Sequence, residues 1–96
     1  MLTWNDKVKK NRSGKLLSVS YTARLPHWGE VRVHPHIHHP GEMFLDCPGL
    51  GIKMHRLGKI AGTDALNPAE RMLMKTLEQR GIWCLETLTA IGLPEN

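Results

Sequence analysis

Alternating apolar and polar side chains predict a β-hairpin near the start of the chain. Four apolar residues occupy every second position, with serine or threonine between them: Leu17, Val19, Tyr21 and Ala23. This period of two is typical of a strand with one buried face. A shorter alternation follows over residues 30–34. Because Pro26 and Gly29 favour a turn between the two segments, residues 15–34 are predicted to form a hairpin with Trp28 at its tip.

A helical period replaces this alternation in the last third of the chain. Asn67 is a favourable cap, Pro68 suits the first helical position, and Glu70 completes a capping box. Four residues form the apolar stripe of this helix: Ala69, Met72, Leu73 and Leu77. A second stripe predicts another helix over residues 82–91: Cys84, Leu85, Leu88 and Ile91. With Gly81 between them, the two helices are expected to form a helical hairpin over residues 67–92.

Proline and glycine interrupt the middle of the chain. Residues 34–62 contain three prolines and five glycines, which break long helices and strands. We therefore expect residues 35–66 to be irregular, with short extended pieces near residues 43–45 and 51–57. The whole pattern predicts an α+β fold in which the N-terminal β-hairpin packs against the C-terminal helical hairpin. A length of 96 residues fits one small domain.

Positive charge is concentrated towards the start of the chain. The sequence has 13 Lys or Arg, 9 Asp or Glu, and a net charge of +4. The first fourteen residues carry four cations and few apolar side chains: Lys7, Lys9, Lys10 and Arg12. We interpret residues 1–14 as a mobile basic arm that contacts either nucleic-acid phosphates or an acidic protein surface. A solvated terminus without a partner is the alternative.

The sequence indicates a cytoplasmic protein that needs no cofactor. Residues 1–12 lack the apolar run of a signal peptide, and no segment approaches the roughly 20 apolar residues needed to cross a membrane. Cys47 and Cys84 are too few for a disulfide framework and are expected to be reduced, with Cys84 in the core. The sequence has no glycine-rich phosphate loop, serine-hydrolase elbow or His-Glu-x-x-His motif. It therefore predicts a protein that is not an enzyme.

A cluster of histidines is the most visible candidate for chemistry. His34, His36 and His38 alternate along the chain, so an extended backbone directs all three rings to one side, as in a three-nitrogen metal site. Only one such cluster exists, whereas zinc motifs pair two. We therefore favour an exposed polar face and keep a metal-binding module as the alternative.

The Asn67-Pro68 bond is a second candidate. An X-Pro bond has a much smaller trans preference than other peptide bonds, so this bond is a candidate switch on which a host prolyl isomerase acts. A trans proline at the start of a helix is the simpler interpretation. Unchanged partner binding by a Pro68→Ala variant counts against the switch.

Two segments of the chain resemble a known phage protein family. They are RLPHWGEVRVHPHIHHPGEMF, at residues 24–44, and LNPAERMLMKTLEQRGIWCLETLTAIGLPEN, at residues 66–96. Over nearly its full length the chain is similar to the anti-RecBCD recombination proteins of lambdoid phages of the Salmonella type. This resemblance implies a non-enzymatic modulator that binds the host RecBCD helicase-nuclease through its RecC subunit and redirects it towards phage recombination. A small basic nucleic-acid-binding protein is the alternative.

The resemblance also suggests which residues bind the partner. The basic arm, Trp4 and Trp28 are expected to act as anchors, since tryptophan and arginine are enriched among binding hot spots. Trp28 serves this role only if it is exposed, and folding back over the apolar face is the favoured alternative. Met74 lies off the apolar stripe of its predicted helix and is expected to be exposed for an interface.

Overall fold

Strands follow one another across the sheet in the order in which they occur in the chain. The computed structural model describes residues 2–10, 12–14, 16–36, 38–60, 62–82 and 84–92. Within these ranges, five strands pair antiparallel: β1 (Asn5–Lys10), β2 (Leu16–Leu25), β3 (Gly29–His36), β4 (His39–Cys47) and β5 (Ile52–Gly58). The helices α1 (Leu66–Gln79) and α2 (Leu85–Ile91) follow the sheet. The protein is therefore a small single α+β domain, as the sequence predicts.

One face of the sheet carries the hydrophobic core. Tyr21, Val33 and Leu45 lie side by side on β2, β3 and β4, and all three are buried. The helices cover this face with buried apolar side chains: Ala69, Leu73, Leu77, Leu88 and Ile91. Burial of these apolar side chains is the main force that holds the helices on the sheet.

The hairpin predicted for residues 15–34 is present as β2 and β3. Their pairing ends at Leu25 opposite Gly29. The Trp28 N–H donates a hydrogen bond of 3.0 Å to the Leu25 carbonyl and closes the turn. Gly29 has a φ of 89°, a left-handed conformation that glycine adopts without strain, as the turn pattern predicts.

The prediction of a mobile basic arm over residues 1–14 is wrong, because Asn5–Lys10 forms strand β1. This strand pairs with β2 over its whole length. All six residues of β1 are exposed, so no apolar alternation marks the strand in the sequence. Its backbone pairing to β2 holds it in place, and the buried side chain of Leu2 anchors the chain just before it.

The prediction of an irregular segment over residues 35–66 is also wrong, because this segment contains β4 and β5. The short extended pieces predicted near residues 43–45 and 51–57 are confirmed, since they lie on these two strands. The strands accommodate proline and glycine at irregular positions. Pairing between β3 and β4 shifts register between Pro35 and His36, and pairing between β4 and β5 shifts between Met43 and Phe44. Such irregularities let a strand continue past residues that disfavour regular pairing.

Helix α1 begins at Leu66, two residues before the predicted start at Pro68. A short 3-10 helix (Gly62–Ala65) leads into it, and Ala65 occupies the cap position without a side-chain hydrogen bond. The predicted capping box is therefore wrong. The Glu70 side chain instead accepts hydrogen bonds from the N-terminal segment of the chain.

Helix α2 is shorter than predicted and begins at Leu85 instead of residue 82. Leu85 is 72% exposed, although the sequence pattern assigns it to the apolar stripe. The start of α2 docks on the β2–β3 turn, where the Thr87 hydroxyl donates a hydrogen bond of 2.8 Å to the Pro26 carbonyl. Gly81 has a φ of 65° and separates the two helices as predicted.

Candidate functional site

The first hairpin of the sheet projects from the body of the molecule. Strand β2 pairs with β3 only from Tyr21 onward, whereas its first half pairs with β1 alone. The molecule measures 48 × 24 × 21 Å and has a radius of gyration of 14.1 Å. A compact chain of this length has a radius of gyration of roughly 12.5 Å. We name this hairpin, made of β1, residues 12–14 and residues 16–22 of β2, the basic ribbon.

Four cations that the sequence predicts as partner-binding residues lie together on the basic ribbon. Lys7, Lys9 and Lys10 are exposed on β1, and Arg12 is exposed in the turn that follows. None of the four forms an ion pair with a carboxylate in the described part of the chain. Their positive charge is therefore available to a partner.

The two faces of the basic ribbon differ in chemistry. Residues directly opposite each other on antiparallel strands point to the same side. The outer face, which is turned away from the helices, carries amide, hydroxyl and ammonium groups: Asn5, Lys7, Lys9, Ser20 and Thr22. The other face carries Asp6 and Val8, whose side chain is 51% exposed. Cations and neutral polar groups thus share one face.

A second group of predicted residues converges on Glu70 of helix α1. Its buried carboxylate accepts a hydrogen bond of 2.8 Å from the Trp4 indole and one of 3.1 Å from the Leu2 N–H, both at Oε1. Beside it lies a cleft of about 300 Å³ whose lining residues are Asn67, Glu70, Arg71, Met74, Ile91 and Gly92. We name this place, where the Trp4 indole is bound to Glu70, the Glu70 cleft.

Met74 lies in the wall of the Glu70 cleft and is half-buried against the core. The prediction that it is exposed is therefore correct only in part. Sequence patterns did not reveal the role of Glu70, because its hydrogen-bond partners lie 66 and 68 residues away along the chain.

Trp28 lies apart from the four cations. It follows Leu25 at the far end of β2, whereas Lys9 pairs with Ser18, about 23 Å away along the strand. Trp28 is half-buried against the core, so the folded-back alternative is confirmed and Trp28 is not an exposed anchor. Its indole Nε1 is buried and has no hydrogen-bond partner within the described residues.

Histidine rings surround a buried phenylalanine on the outer face of the sheet. Phe44 is 6% exposed although it lies on the face opposite the helices. The ring centroids of His34, His36 and His39 lie 6.4, 5.8 and 5.5 Å from that of Phe44. The ring of His38 contacts that of His36 at 5.4 Å. The imidazole rings therefore cover Phe44 and shield it from solvent on this face of the sheet.

The alternation of His34, His36 and His38 does not create a three-histidine site. The Nε2 of His34 bonds to the Asp46 carboxylate, its Nδ1 lies 3.0 Å from the Pro35 carbonyl oxygen, and His38 lies in a turn. No group of three His, Cys, Asp or Glu side chains in the described part of the chain is arranged to hold a metal ion.

Acidic partners of these histidines come from β4. Glu42 is buried, pairs with Arg56 of β5 and lies 3.5 Å from the Nδ1 of His39. Asp46 accepts a hydrogen bond of 2.6 Å from the Met54 N–H in addition to its bond with His34. The sequence did not reveal the pairing of His34 with Asp46, because these residues adjoin only across the sheet, and it missed Glu42, which lies three residues after His39 on the same strand.

The pKa of Asp46 lies below its ordinary value of 3.8. Partial burial is the largest single influence and opposes ionisation. The hydrogen bonds from the Met54 N–H and the His34 ring, together with the charges of His34 and Arg32, outweigh that burial and lower the pKa. The ionised carboxylate therefore stabilises the folded sheet.

This lowered pKa makes the stability of the sheet depend on acidity. A carboxyl with a lower pKa in the folded state stabilises the protein above its unfolded-state pKa and loses that contribution as the pH falls through the folded-state pKa. We expect the free energy of unfolding to fall below about pH 4, and an Asp46→Asn variant to show a smaller fall. Urea unfolding between pH 2.5 and 6 measures the difference. An Asp64→Asn variant, altered at an exposed position, is the matched control. If the free energy of unfolding depends on pH in the same way in the two variants, the prediction is contradicted.

The Asn67-Pro68 bond lies in the first turn of α1, and Asn67 contributes to the wall of the Glu70 cleft. No peptide bond in the described part of the chain is cis. The trans proline expected as the simpler interpretation is therefore present, and a switch at this bond stays a prediction.

Cys47 is the core cysteine, and the prediction that Cys84 fills this role is wrong. Cys47 is fully buried, and burial raises the pKa of its thiol. Cys84 is half-buried in front of α2, where a hydrogen bond with the Thr87 side chain lowers its pKa. Both are free thiols, as predicted.

Comparison with known proteins finds no family model that matches the chain, and no curated protein or solved structure with significant similarity to it. The helices of the described part of the chain are too short or too polar to span a membrane. Fold and surface chemistry therefore define the protein as a small α+β domain with a projecting basic ribbon and a separate cleft beside α1.

Proposed function

We propose that this chain is a phage-encoded, non-enzymatic protein that binds the host RecBCD helicase-nuclease through its RecC subunit. Binding redirects the enzyme towards phage recombination in the bacterial cytoplasm. The sequence resemblance to anti-RecBCD proteins suggests this target. The observation that carries the proposal is the convergence of Trp4, Asn67 and Met74 at the Glu70 cleft.

The chemistry of the Glu70 cleft supports a protein partner. Aromatic residues, methionine and arginine are enriched at protein interfaces. Met74 and the exposed Arg71 line the cleft together with Glu70, whose carboxylate binds the Trp4 indole. The half-buried side chains of Trp4 and Met74 are held in place before binding, so little of their side-chain entropy is lost when a partner docks. Trp4 and Met74 remain the proposed anchors, whereas Trp28 is not among the residues that line this cleft.

Binding of purified RecBCD by the full-length chain tests this function. We expect a double variant, Arg71→Ala with Met74→Ala, to bind RecBCD and isolated RecC at least about tenfold more weakly, because truncation of hot-spot residues costs more than 1 kcal/mol each. Surface plasmon resonance on nuclease-treated proteins measures the affinity. Thermal unfolding of each variant separates lost contacts from lost folding.

The matched control alters two residues of the same helix that are not among those lining the cleft. Lys75→Ala with Glu78→Ala removes two exposed side chains of α1, and we expect it to leave the affinity within about twofold. Failure of the unaltered chain to bind RecBCD contradicts the proposed function.

A host prolyl isomerase is proposed as a second partner at the Asn67-Pro68 bond. Capture of such an isomerase from a bacterial lysate by the unaltered chain, but not by a Pro68→Ala variant, supports this partner.

A further inference from the structure

We propose that the outer face of the basic ribbon binds the phosphate backbone of duplex DNA. This inference goes beyond the proposed function, because it needs no contact with RecBCD and concerns a different surface from the Glu70 cleft. It rests on the shape of the ribbon, on the exposed cations of its outer face and on the neutral polar groups beside them.

The shape of the ribbon suits the grooves of DNA. Its two strands lie about 4.8 Å apart, and the major groove of B-DNA, about 12 Å wide, admits a two-stranded β-ribbon. The ribbon projects beyond the part of β2 that pairs with β3. A duplex can therefore meet the ribbon without a collision with the helices.

The side chains of the outer face match the chemistry of phosphate groups. Lys7 and Lys9 are two residues apart on one strand, so their Cα atoms are about 6.6 Å apart on the same face. Neither pairs with a carboxylate in the described part of the chain. Asn5, Ser20 and Thr22 share the face, and such amide and hydroxyl groups also donate hydrogen bonds to phosphate oxygens.

One further cation lies where the ribbon joins the body of the sheet. A shallow cleft of about 210 Å³ lies at the base of the outer face, and its lining residues are Asn5, Thr22, Ala23, Arg24 and Glu30. Arg24 is exposed there and forms no ion pair among the described residues. A phosphate strand that follows the outer face therefore meets Arg24 as a third cation, whose charge is partly offset by Glu30 directly opposite it on β3.

The composition of the outer face favours DNA over an acidic protein. Lysine and serine are depleted at protein interfaces, which instead use aromatic residues, methionine and arginine as anchors. The described side chains on the outer face of the ribbon are lysine, serine, threonine and asparagine. The half-buried residues Trp4 and Met74 lie at the Glu70 cleft instead. Charge without apolar anchors is typical of sequence-independent phosphate contact.

Fluorescence anisotropy of labelled 20-base-pair duplexes with the purified full-length chain tests the inference. We expect binding at 50 mM salt with affinities for two unrelated sequences within about twofold, since phosphate contacts carry no sequence information. The logarithm of the binding constant should fall linearly with the logarithm of salt concentration. Each phosphate contact contributes about −0.9 to that slope.

The decisive comparison is between two double substitutions of equal charge. Lys7→Gln with Lys9→Gln should weaken binding at least about tenfold at 50 mM salt and make the slope less steep by about 1.8. Lys53→Gln with Lys59→Gln removes two exposed lysines of the opposite sheet edge and should leave the slope unchanged. Circular dichroism confirms that both variants are folded.

Three results overturn the inference: no DNA binding at 50 mM salt, equal losses in the two double variants, or tighter binding to polyglutamate than to DNA. The last result identifies an acidic protein surface as the partner of the ribbon. Because these measurements contain no RecBCD, their failure leaves the proposed function intact. Failure of RecBCD to bind the chain likewise leaves the DNA inference intact.

Discussion

A Glu70→Ala variant is expected to unfold with a free energy about 3 kcal/mol lower than that of the unaltered protein. The buried carboxylate accepts hydrogen bonds from the Trp4 indole and the Leu2 N–H, and hydrogen bonds to a charged group contribute about 1.5–3 kcal/mol each. Removal of the acceptor leaves both donors without this partner and frees the segment that precedes β1. Urea unfolding measures the loss, and faster tryptic cleavage after Lys7 reports the released segment.

Two further substitutions distinguish the loss of the Glu70 hydrogen bonds from a general loss of stability of α1. Glu70→Gln keeps an oxygen that accepts hydrogen bonds, so it should retain more of the stability than Glu70→Ala. Glu78→Ala makes the same truncation at an exposed position of the same helix and should change the free energy of unfolding by less than about 0.5 kcal/mol. Similar losses at positions 70 and 78 contradict the role of Glu70 as the anchor of the N-terminal segment.

A Leu73→Ala variant should lose about 3–4 kcal/mol of stability, the range typical of a fully buried leucine. Leu73 is 0% exposed and belongs to the core cluster between α1 and the sheet. Its truncation removes apolar burial and leaves a cavity that the surrounding side chains fill only in part. A domain of this size has a total stability of roughly 5–15 kcal/mol, so the loss is a large fraction of the whole. Urea unfolding at neutral pH measures it.

The control for this prediction is another leucine of the helical segment. Leu85 is 72% exposed, so Leu85→Ala should change stability by less than about 0.5 kcal/mol. The sequence pattern treats both leucines as core positions. The difference between the two variants in the free energy of unfolding therefore measures the contribution of burial. Comparable losses for the two contradict the core assigned to α1.

The hairpin of β2 and β3 was predictable because its signals are local. Alternation over Tyr21 and its neighbours requires one buried face, and Pro26 with Gly29 supplies the turn between the strands. The helices were predictable in type for the same reason, although their starts were not. Helix α1 begins without a side-chain cap, so the residues that normally mark a helix start carry no information here.

Strand β1 and the candidate surfaces were not predictable in this way. Both faces of β1 are exposed, and a strand without a buried face has no apolar period to detect. The Glu70 cleft depends on contacts across more than 60 residues of chain. The pairing of His34 with Asp46 depends on the register between β3 and β4. The spacing of residues along the chain does not predict any of these contacts.

The sequence by itself determined the α+β class, the β2–β3 hairpin, the two C-terminal helices and the excess of positive charge near the start of the chain. Each follows from the hydropathy period or the composition of one continuous segment. Only the tertiary structure decided that the basic segment is a strand of a projecting ribbon, that Trp28 is half-buried, and that Trp4 binds Glu70 beside the cleft that Met74 lines. Burial and pairing between distant segments decide such features, because the free energy of each contact depends on neighbours that the local sequence does not specify.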